Sequence, residues 1–553
     1  MDRPFSGQLL LVGEGDFSLS MSLVSYLPNT LWENITSTSL ESESSILKHK
    51  NASDNIAWLS QRGVKVFLNT DATCLTSQKD LMKNKYSRII FNFPHAGGKS
   101  NHKKNRKLLK DFFSSAVEVL SDGGEIYVSL CKGQGGTPAD KPHRKWSDSW
   151  QIVAMAACAN LVLKEVVPFK AEKLPEYSST GFRSQDKGFN TEGALTHIFV
   201  RTEAIDIPEG DIKVHHELWC PQNDYIRQKI SRNLHKEDGN PLCYLSQTLQ
   251  KELSESLTFQ SVEIDRILAA DPAVMKRTCY HCKSDDSIVN ELAEKLNCGS
   301  SNQDDSFPGE LLTDKLSMCT VQMIEHLPIS LDCLPIMHHI MGCVPVSCDR
   351  EKIECICKNL SKVVSDISKG ICKLQVIDTQ IHLTTETENK KLSEKIGHVF
   401  SLDKCCTKYD LFSLNLDKLA VALFQLPNIR ILWSHDGIVV DSFRRMLKSD
   451  PPLIIPTVSL YPLVFPHDMS FWENSQLLFN EQDFLSVIRD ICGDYVVHVE
   501  LLDRFHRVDL DKVSRCYRLQ FQSYDRAMSY STSWKLQSYL RLCVASVMKV
   551  ELR

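Results

Sequence analysis

The sequence predicts a multidomain chain. An α/β Rossmann-like domain spans 1–205, a poorly defined region with a polar linker spans 206–310, an α+β middle spans 311–455 and a ferredoxin-like α+β domain spans 461–553. Three observations carry this reading. The chain has 553 residues, too many for one ordinary domain of about 100–200 residues. Near the start, a short apolar run ends in the glycines Gly13 and Gly15, and strand-like and helix-like segments alternate after it, as in a sheet wound on both faces. Near the end, strand and helix patterns form two β–α–β-type halves, the composition of a split ferredoxin-like fold.

Taken in order, Gln8–Val12 reads as a buried parallel strand. The turn Gly13-Glu14-Gly15-Asp16-Phe17-Ser18 follows, and Leu19, Met21, Leu23 and Val24 continue as a helix. Such a turn lets backbone approach a ligand closely. A second strand, Asn34–Leu40, ends at Glu41, 26 residues after Gly15; an acidic side chain there can accept from ribose hydroxyls. Val64–Leu68 is a third strand closed by Asp71-Ala72, and Arg88–Phe93 is a fourth that ends in Asn92-Phe93-Pro94-His95. The positions Leu108, Leu109, Phe112, Phe113, Ala116, Val117 and Leu120 have helical spacing. Asp122-Gly123-Gly124 reads as a turn before the strand Glu125–Leu130, then come a helix near Trp150–Ala159 and the strands Leu161–Val167 and Leu195–Val200. Gly13, Glu41, Asp71 and Asn92 all fall at carboxyl ends of strands, the ligand edge of such a sheet.

Lys and Arg total 64 against 69 Asp and Glu, a net charge of −5, which excludes a uniformly basic, histone-like binder and a polyacidic chain. Hydrophobic residues are 42% and charged residues 24%, which excludes a mainly disordered chain. The charge is uneven: residues 1–200 carry +4, 201–460 carry −8 and 461–553 carry −1. Apolar runs such as Leu9–Val12 and Ile152–Ala159 fall far short of the roughly 18 residues of a membrane span. Met1–Pro4 leads into the glycine turn with no signal-peptide core, so the 20 cysteines are expected as reduced thiols and the protein as cytoplasmic.

The stretches Leu10–Ser18, Asp71-Ala72-Thr73 and Phe91–Gly98 resemble the eukaryotic large-subunit rRNA uridine-N3 methyltransferase family, over about residues 7–200. The resemblance implies a seven-stranded methyltransferase sheet with S-adenosylmethionine as cofactor, and its rRNA substrate would also allow the nucleolus. Gly13–Ser18 would cradle the methionine part, Glu41 the ribose, and Asp71-Ala72 the adenine, with Asn92 also expected to touch the cofactor. Asn92-Phe93-Pro94-His95 resembles the Asn-Pro-Pro-aromatic signature of methyltransferases that act on planar nitrogens, with a carbonyl accepting from the target N–H and an aromatic ring on the base. The N3 proton must leave, so a base is useful, and His95 or Asp16 is the candidate. Asp16 could equally cap the following helix or bind the cofactor's amino group. The basic run Lys99, Lys103, Lys104, Arg106, Lys107 and Lys110 follows the motif and would track RNA phosphates. Lys132–Pro138 departs from the family's Lys-Gly-x-Pro-Tyr-like turn, and Tyr177 with Gly181-Phe182-Arg183 only partly echoes a later segment. That departure favours the alternative of a catalytically inactive RNA-binding or assembly factor.

Residues 201–310 give weak pattern, and Lys283–Glu310 reads as a polar linker. Cys279-Tyr280-His281-Cys282 lacks a second pair at zinc spacing, so no metal is expected. Leu416–Phe424 is an amphipathic helix, and with Gln425–Ser434 it is similar to the end of the phenylalanyl-tRNA synthetase core. The family's Gly-rich strand and ATP-gripping Arg correspond to Ser413-Leu414-Asn415 and Lys418. Lys does not replace Arg in a bidentate phosphate contact, which predicts a scaffold without aminoacylation. At the end, Asp468–Trp472, Val499–Asp503 and Lys512–Arg518 resemble the ferredoxin-fold anticodon-binding domain of phenylalanyl-tRNA synthetases. With the amino-terminal resemblance, they point to the family of ferredoxin-fold anticodon-binding domain-containing protein 1. Lys512, Ser514, Arg515, Tyr517 and Arg518 are the expected RNA contacts, because arginines and aromatics together suit splayed bases. The RNA partner is rRNA by the first domain and tRNA by the last.

Overall fold

The structure is a computed structural model that describes residues 7–49, 51–97, 101–180, 188–207, 223–264, 268–269, 309–312, 315–324, 328–345, 351–387, 390–404, 407–448, 459–474 and 477–553. The chain forms two compact units, one built from residues up to 206 with two short later segments, the other from the rest. Lys99, Gly181-Phe182-Arg183 and the Cys279–Cys282 pair lie outside the described residues.

The first unit is a seven-stranded sheet. Its strands are β1 (Leu9–Val12), β2 (Ile35–Thr38), β3 (Lys65–Phe67), β4 (Tyr86–Asn92), β5 (Leu120–Leu130), β6 (Leu161–Pro168) and β7 (Leu195–Arg201). They lie in the order β3-β2-β1-β4-β5-β7-β6. β1 is parallel to both β2 and β4, and β7 runs antiparallel to β5 and β6. The strand order reverses between β1 and β4, where such sheets open a crevice for ligands. Helices α1 (Ser18–Tyr26), α2 (Glu43–Ile46), α3 (Ala52–Ser60), α4 (His102–Ala116) and α5 (Ile152–Ala157) complete the unit. β1 is buried at every position, which is why its four residues are all apolar. β2 is equally buried yet reads Ile-Thr-Ser-Thr. Two of its three polar side chains are bonded internally: Ser37 Oγ pairs with Ser20 Oγ at 2.7 Å, and Thr38 Oγ1 donates to the Leu11 carbonyl at 3.1 Å.

One sequence expectation is corrected here. Helix α4 ends at Ala116, and Leu120 opens β5 instead of continuing the helix. Asp122-Gly123-Gly124 is an excursion inside β5, where Tyr86 pairs with Leu120 but Arg88 already pairs with Glu125. Gly123 takes φ +68° there, a conformation that suits glycine.

In the second unit, strands β8 (Gln260–Ser261), β9 (Leu268–Ala269), β10 (Ser317–Ile324), β11 (Ile336–Pro345), β12 (Cys372–Ile377), β13 (Gln380–Thr387), β14 (Lys390–Lys404) and β15 (Thr407–Asn415) form a mixed sheet. Its order is β12-β13-β14-β15-β11-β10-β8, with β9 also on β10. The helices Asn223–Arg232 and Pro241–Leu257 form in the stretch of weak sequence pattern. Asn240 caps the second one, accepting from the Leu242 N–H at 3.0 Å, with Pro241 in its first turn. Ser413 and Asn415, expected to stand in place of the synthetase glycines, carry bonded side chains. His339 Nδ1 meets Ser413 Oγ at 2.9 Å, and Asn415 Oδ1 accepts from the Lys418 N–H at 2.9 Å, so Asn415 caps the helix Leu416–Leu423. Lys418 Nζ reaches Glu394 at 2.7 Å.

The same unit ends in a four-stranded antiparallel sheet of β16 (Phe465–Trp472), β17 (Val496–Arg507), β18 (Lys512–Phe521) and β19 (Glu551–Leu552), ordered β17-β18-β16-β19. The helices Glu481–Cys492 and Tyr530–Met548 connect β16 to β17 and β18 to β19, giving the ferredoxin-like topology. Tyr517 on β18 is a core residue, 1% exposed. Its ring lies 4.6 Å from Phe484 and its hydroxyl donates to Glu481 at 2.9 Å. Tyr517→Ala should therefore cost about 3–5 kcal/mol, as expected for removing a buried aromatic ring, seen as a lower urea midpoint for the unfolding of this module. A midpoint within error of the wild type would place the ring at the surface.

Candidate functional site

At the carboxyl ends of β1 to β4 the first unit encloses a cavity of about 600 Å³. Gly13, Glu14, Gly15, Asp16, Ser18, Glu41, Asp71, Ala72, Asn92, Phe93, Pro94 and His95 all line it. The turn after β1 is held from several sides. The Glu14 N–H donates to the Thr38 carbonyl at 2.9 Å, and Asn55 Nδ2 donates to the Asp16 carbonyl at 2.8 Å. Asp16 Oδ1 accepts from the Ser18 N–H at 3.0 Å, so this carboxylate ties down the start of α1. Gly13 sits at φ +71°, and a Cβ there would meet Phe91 Cε2 at 2.5 Å. A Cβ on Gly15 would lie 2.0 Å from Thr180 Oγ1. The backbone must be bare at both places.

Phe17 departs from the expected cofactor set. It takes φ +61° and its ring is fully buried in the apolar core beside Leu19 and Phe93, so it shapes the turn from behind and does not line the cavity.

Sequence pattern missed the opposite wall, which comes from the segment after β6. Tyr177, Ser178, Thr180 and Phe189 line the cavity. Ser18 Oγ donates to the Ser178 carbonyl at 3.1 Å and accepts from the Ser178 N–H at 3.0 Å. The only sequence signal was the isolated Tyr177, since the rest of the segment has no periodicity.

Burial, reinforced by the nearby Asp16 carboxylate and partly offset by Ser20, pushes the Glu14 carboxyl up to about 8. Burial and the same two carboxyl groups raise the Tyr177 phenol as well. On the next strand end, Glu41 Oε1 meets His49 Nε2 at 3.1 Å. Asp71 Oδ1 accepts from the N–H and hydroxyl of Thr73 at 2.8 and 2.7 Å.

Asn92 is different. Its carboxamide oxygen and nitrogen are both shielded from solvent, and neither has a hydrogen-bond partner among the described residues. A shielded, unsatisfied amide is costly, and a ligand in the cavity would relieve that cost. The Phe93 ring cannot serve as an open platform for a base. It stacks on Phe189 at 5.9 Å and meets Phe169 edge-on at 5.1 Å. His95 accepts the Gly97 N–H on Nδ1 at 2.9 Å, and burial lowers its pKa. Both effects favour a neutral ring whose proton sits on Nε2.

The expected RNA contacts divide. Lys103 and Lys104 are exposed in the first turn of α4. Lys107 pairs with Asp111 at 2.5 Å on the surface. Arg106 is corrected to a structural role, with Nη2 donating to the Ser147 and Ser149 carbonyls at 2.7 Å each. In the ferredoxin-like module, Tyr517 is internal and Ser514 is buried, accepting from Arg553 Nη1 at 3.0 Å. Arg515 pairs with Glu473 at 2.5 Å and Arg518 grips Asp468 with two bonds of 2.8 Å. Lys512 reaches Glu551 at 3.0 Å. These residues bind one another's neighbours in the sheet, and only Lys512 and Arg518 keep substantial exposure. Among the described residues, no group of three or more His, Cys, Asp or Glu is placed to hold a metal ion, and no helix is long and apolar enough to cross a membrane.

A family model described as BMT5-like, rRNA (uridine-N3-)-methyltransferase BTM5-like, matches residues 10–181. Ferredoxin-fold anticodon-binding domain-containing protein 1 homolog of Mus musculus is 30% identical over 617 aligned positions, covering 97% of this chain and 97% of its own. The Homo sapiens protein of that name is 29% identical over the same shares. A chloroplastic/mitochondrial phenylalanine–tRNA ligase of Arabidopsis thaliana is 37% identical over 142 residues, 26% of this chain and 32% of its own. Among solved structures, the glycopeptide N-methyltransferase MtfA complexed with sinefungin is 13% identical, with TM-score 0.24, over 36% of this chain and 88% of that one.

The sheet order and the cavity at its switch point define the first unit as a methyltransferase-type Rossmann domain, joined to a phenylalanyl-tRNA synthetase-like unit with a ferredoxin-like end. The chain belongs to the family of ferredoxin-fold anticodon-binding domain-containing protein 1.

Proposed function

We propose that the chain is an S-adenosylmethionine-dependent RNA methyltransferase that methylates N3 of a uridine, with rRNA as the substrate class and the carboxyl-terminal module as an RNA-binding aid. The observation that carries this reading is Asn92, whose two amide atoms wait unsatisfied at the cavity wall. The matched family description supports the rRNA and uridine-N3 assignment.

The residues present fit the cofactor. The bare Gly13 and Gly15 backbone leaves room for its methionine part, Glu14 supplies negative charge for its ammonium, Glu41 can take its ribose hydroxyls and Asp71-Ala72 its adenine. When bound, it supplies an electrophilic methyl group on sulfur. On the chain's side, Asn92 Oδ1 accepts from the uracil N3–H and Nδ2 donates to an adjacent uracil carbonyl. This two-point contact fixes the ring edge. His95 donates through Nε2 and does not act as the base, because its other nitrogen already accepts from Gly97. Asp16, the other candidate base, lines the same cavity and would take up the N3 proton.

Methyl transfer from labelled S-adenosylmethionine to RNA, with nucleoside analysis of the product, tests the reading. Asn92→Ala should lower turnover by about 10²-fold, the scale of losing one positioned transition-state contact, with cofactor affinity kept. Full turnover in that variant would refute the role of Asn92.

A second outcome concerns pH. Burial raises the Glu14 pKa to about 8, which favours the protonated carboxyl at pH 7. A bound cation favours the carboxylate, so binding releases a proton. Affinity for S-adenosylmethionine should therefore rise with pH up to about 8 and level off above it. Calorimetry across that range should show the slope in the wild type and its loss in Glu14→Gln. A wild-type affinity that does not vary with pH would contradict the placement of the ammonium beside Glu14.

A further inference from the structure

The loop between β5 and α5 carries an exposed run that the function above does not use: Lys141, His143, Arg144, Lys145 and Trp146. Trp146 is 45% exposed, which is unusual for a side chain with so much apolar surface to hide. The loop is not loosely held. At its base, the Trp150 N–H donates to the Gln134 carbonyl at 2.7 Å, and the Ile152 N–H to the Gly135 carbonyl at 3.1 Å. Asp140, buried, accepts from the N–H and hydroxyl of Thr137 at 2.7 and 3.0 Å. Arg106 on α4 clasps the Ser147 and Ser149 carbonyls, and His102 meets Asp148 at 3.0 Å. The basic run is thus fastened to the first turns of α4, which present Lys103, Lys104 and Lys107.

The exposed acids on these two elements are few and already paired, Asp111 with Lys107 and Asp148 with His102. The patch is therefore strongly positive although the chain as a whole is at −5. It also borders the cavity. Leu108 of α4 lines the cavity wall, Asn105 Oδ1 accepts from the Ala96 N–H at 2.9 Å, and the His95 ring lies 6.2 Å from that of Trp150.

We propose that the Lys141–Trp146 loop and the first turns of α4 form one RNA-docking surface beside the cavity, with the cations along the phosphates and Trp146 stacked on a base flanking the target. The proposal rests on the RNA methyltransferase reading. A cluster of exposed cations next to an exposed indole suits single-stranded RNA, which offers both phosphates and unstacked bases. An acidic protein would use the charges but would leave the indole without a stacking partner.

The test uses the full-length protein and a fluorescein-labelled, uridine-containing single-stranded RNA, with anisotropy measured across a salt series. The triple variant Lys141→Ala/Arg144→Ala/Lys145→Ala should weaken binding and reduce the magnitude of the log-affinity against log-salt slope by about 2, at roughly 0.7 per phosphate contact on a single strand. Trp146→Ala should weaken binding by about tenfold with the slope unchanged, the scale of one lost stacking contact. Both variants should bind S-adenosylmethionine as the wild type does, which shows that the unit is folded. A triple variant that keeps the wild-type slope and affinity overturns the docking surface, whether the loop is idle or serves an acidic protein, and leaves the enzymatic reading standing. A wild-type protein that binds cofactor but no RNA at low salt overturns both.

Discussion

The pair of hydrogen bonds in which Ser18 Oγ both donates to and accepts from the backbone of Ser178 joins two parts of the chain separated by 160 residues and holds one wall of the cavity in place. It pins the segment after β6 against the turn after β1, close enough that Thr180 occupies the space where Gly15 would carry a side chain. Tyr177, Thr180 and Phe189 become a wall of the cavity through this contact. With Phe189 in place, Phe93 is covered and becomes part of the wall's support. The glycines of the turn therefore serve two purposes, a left-handed backbone at Gly13 and a close approach at Gly15.

Burial of charge follows from the same closure. Glu14 and Asp16 lie on one turn, and burial together with the neighbouring carboxylate raises the Glu14 pKa, favouring a proton there. His95 shows the converse effect, since partial burial keeps the ring neutral and the Gly97 amide fixes which nitrogen carries the proton. Outside the cavity, the cations face solvent on α4 and the loop fastened to it.

The strands of the first unit and their ligand edge were legible because buried parallel strands are short apolar runs, and the polar residues that end them stand out. Glu41, Asp71 and Asn92 were found that way, and all line the cavity. Phe17 was misread because its inward turn depends on a left-handed φ that no side-chain pattern announces. The far wall was not legible because it rests on a contact across 160 residues in a segment without periodicity. Arg106 looked like one more member of a basic run, and only the approach of the Ser147–Ser149 backbone shows its structural duty. Tyr517 carried a signal that was overlooked: with Leu519 and Phe521 it alternates along β18, and all three are buried on one face. The bonds that Ser413 and Asn415 make to His339 and to the following helix are visible only in the fold.

Quantifying N3-methyluridine by nucleoside mass spectrometry, in rRNA and tRNA purified separately from cells lacking the protein, tests the central claim most directly. The cavity chemistry predicts loss of the modification from rRNA, restored by the wild-type chain and not by Asn92→Ala. Unchanged N3-methyluridine in every RNA class would contradict it.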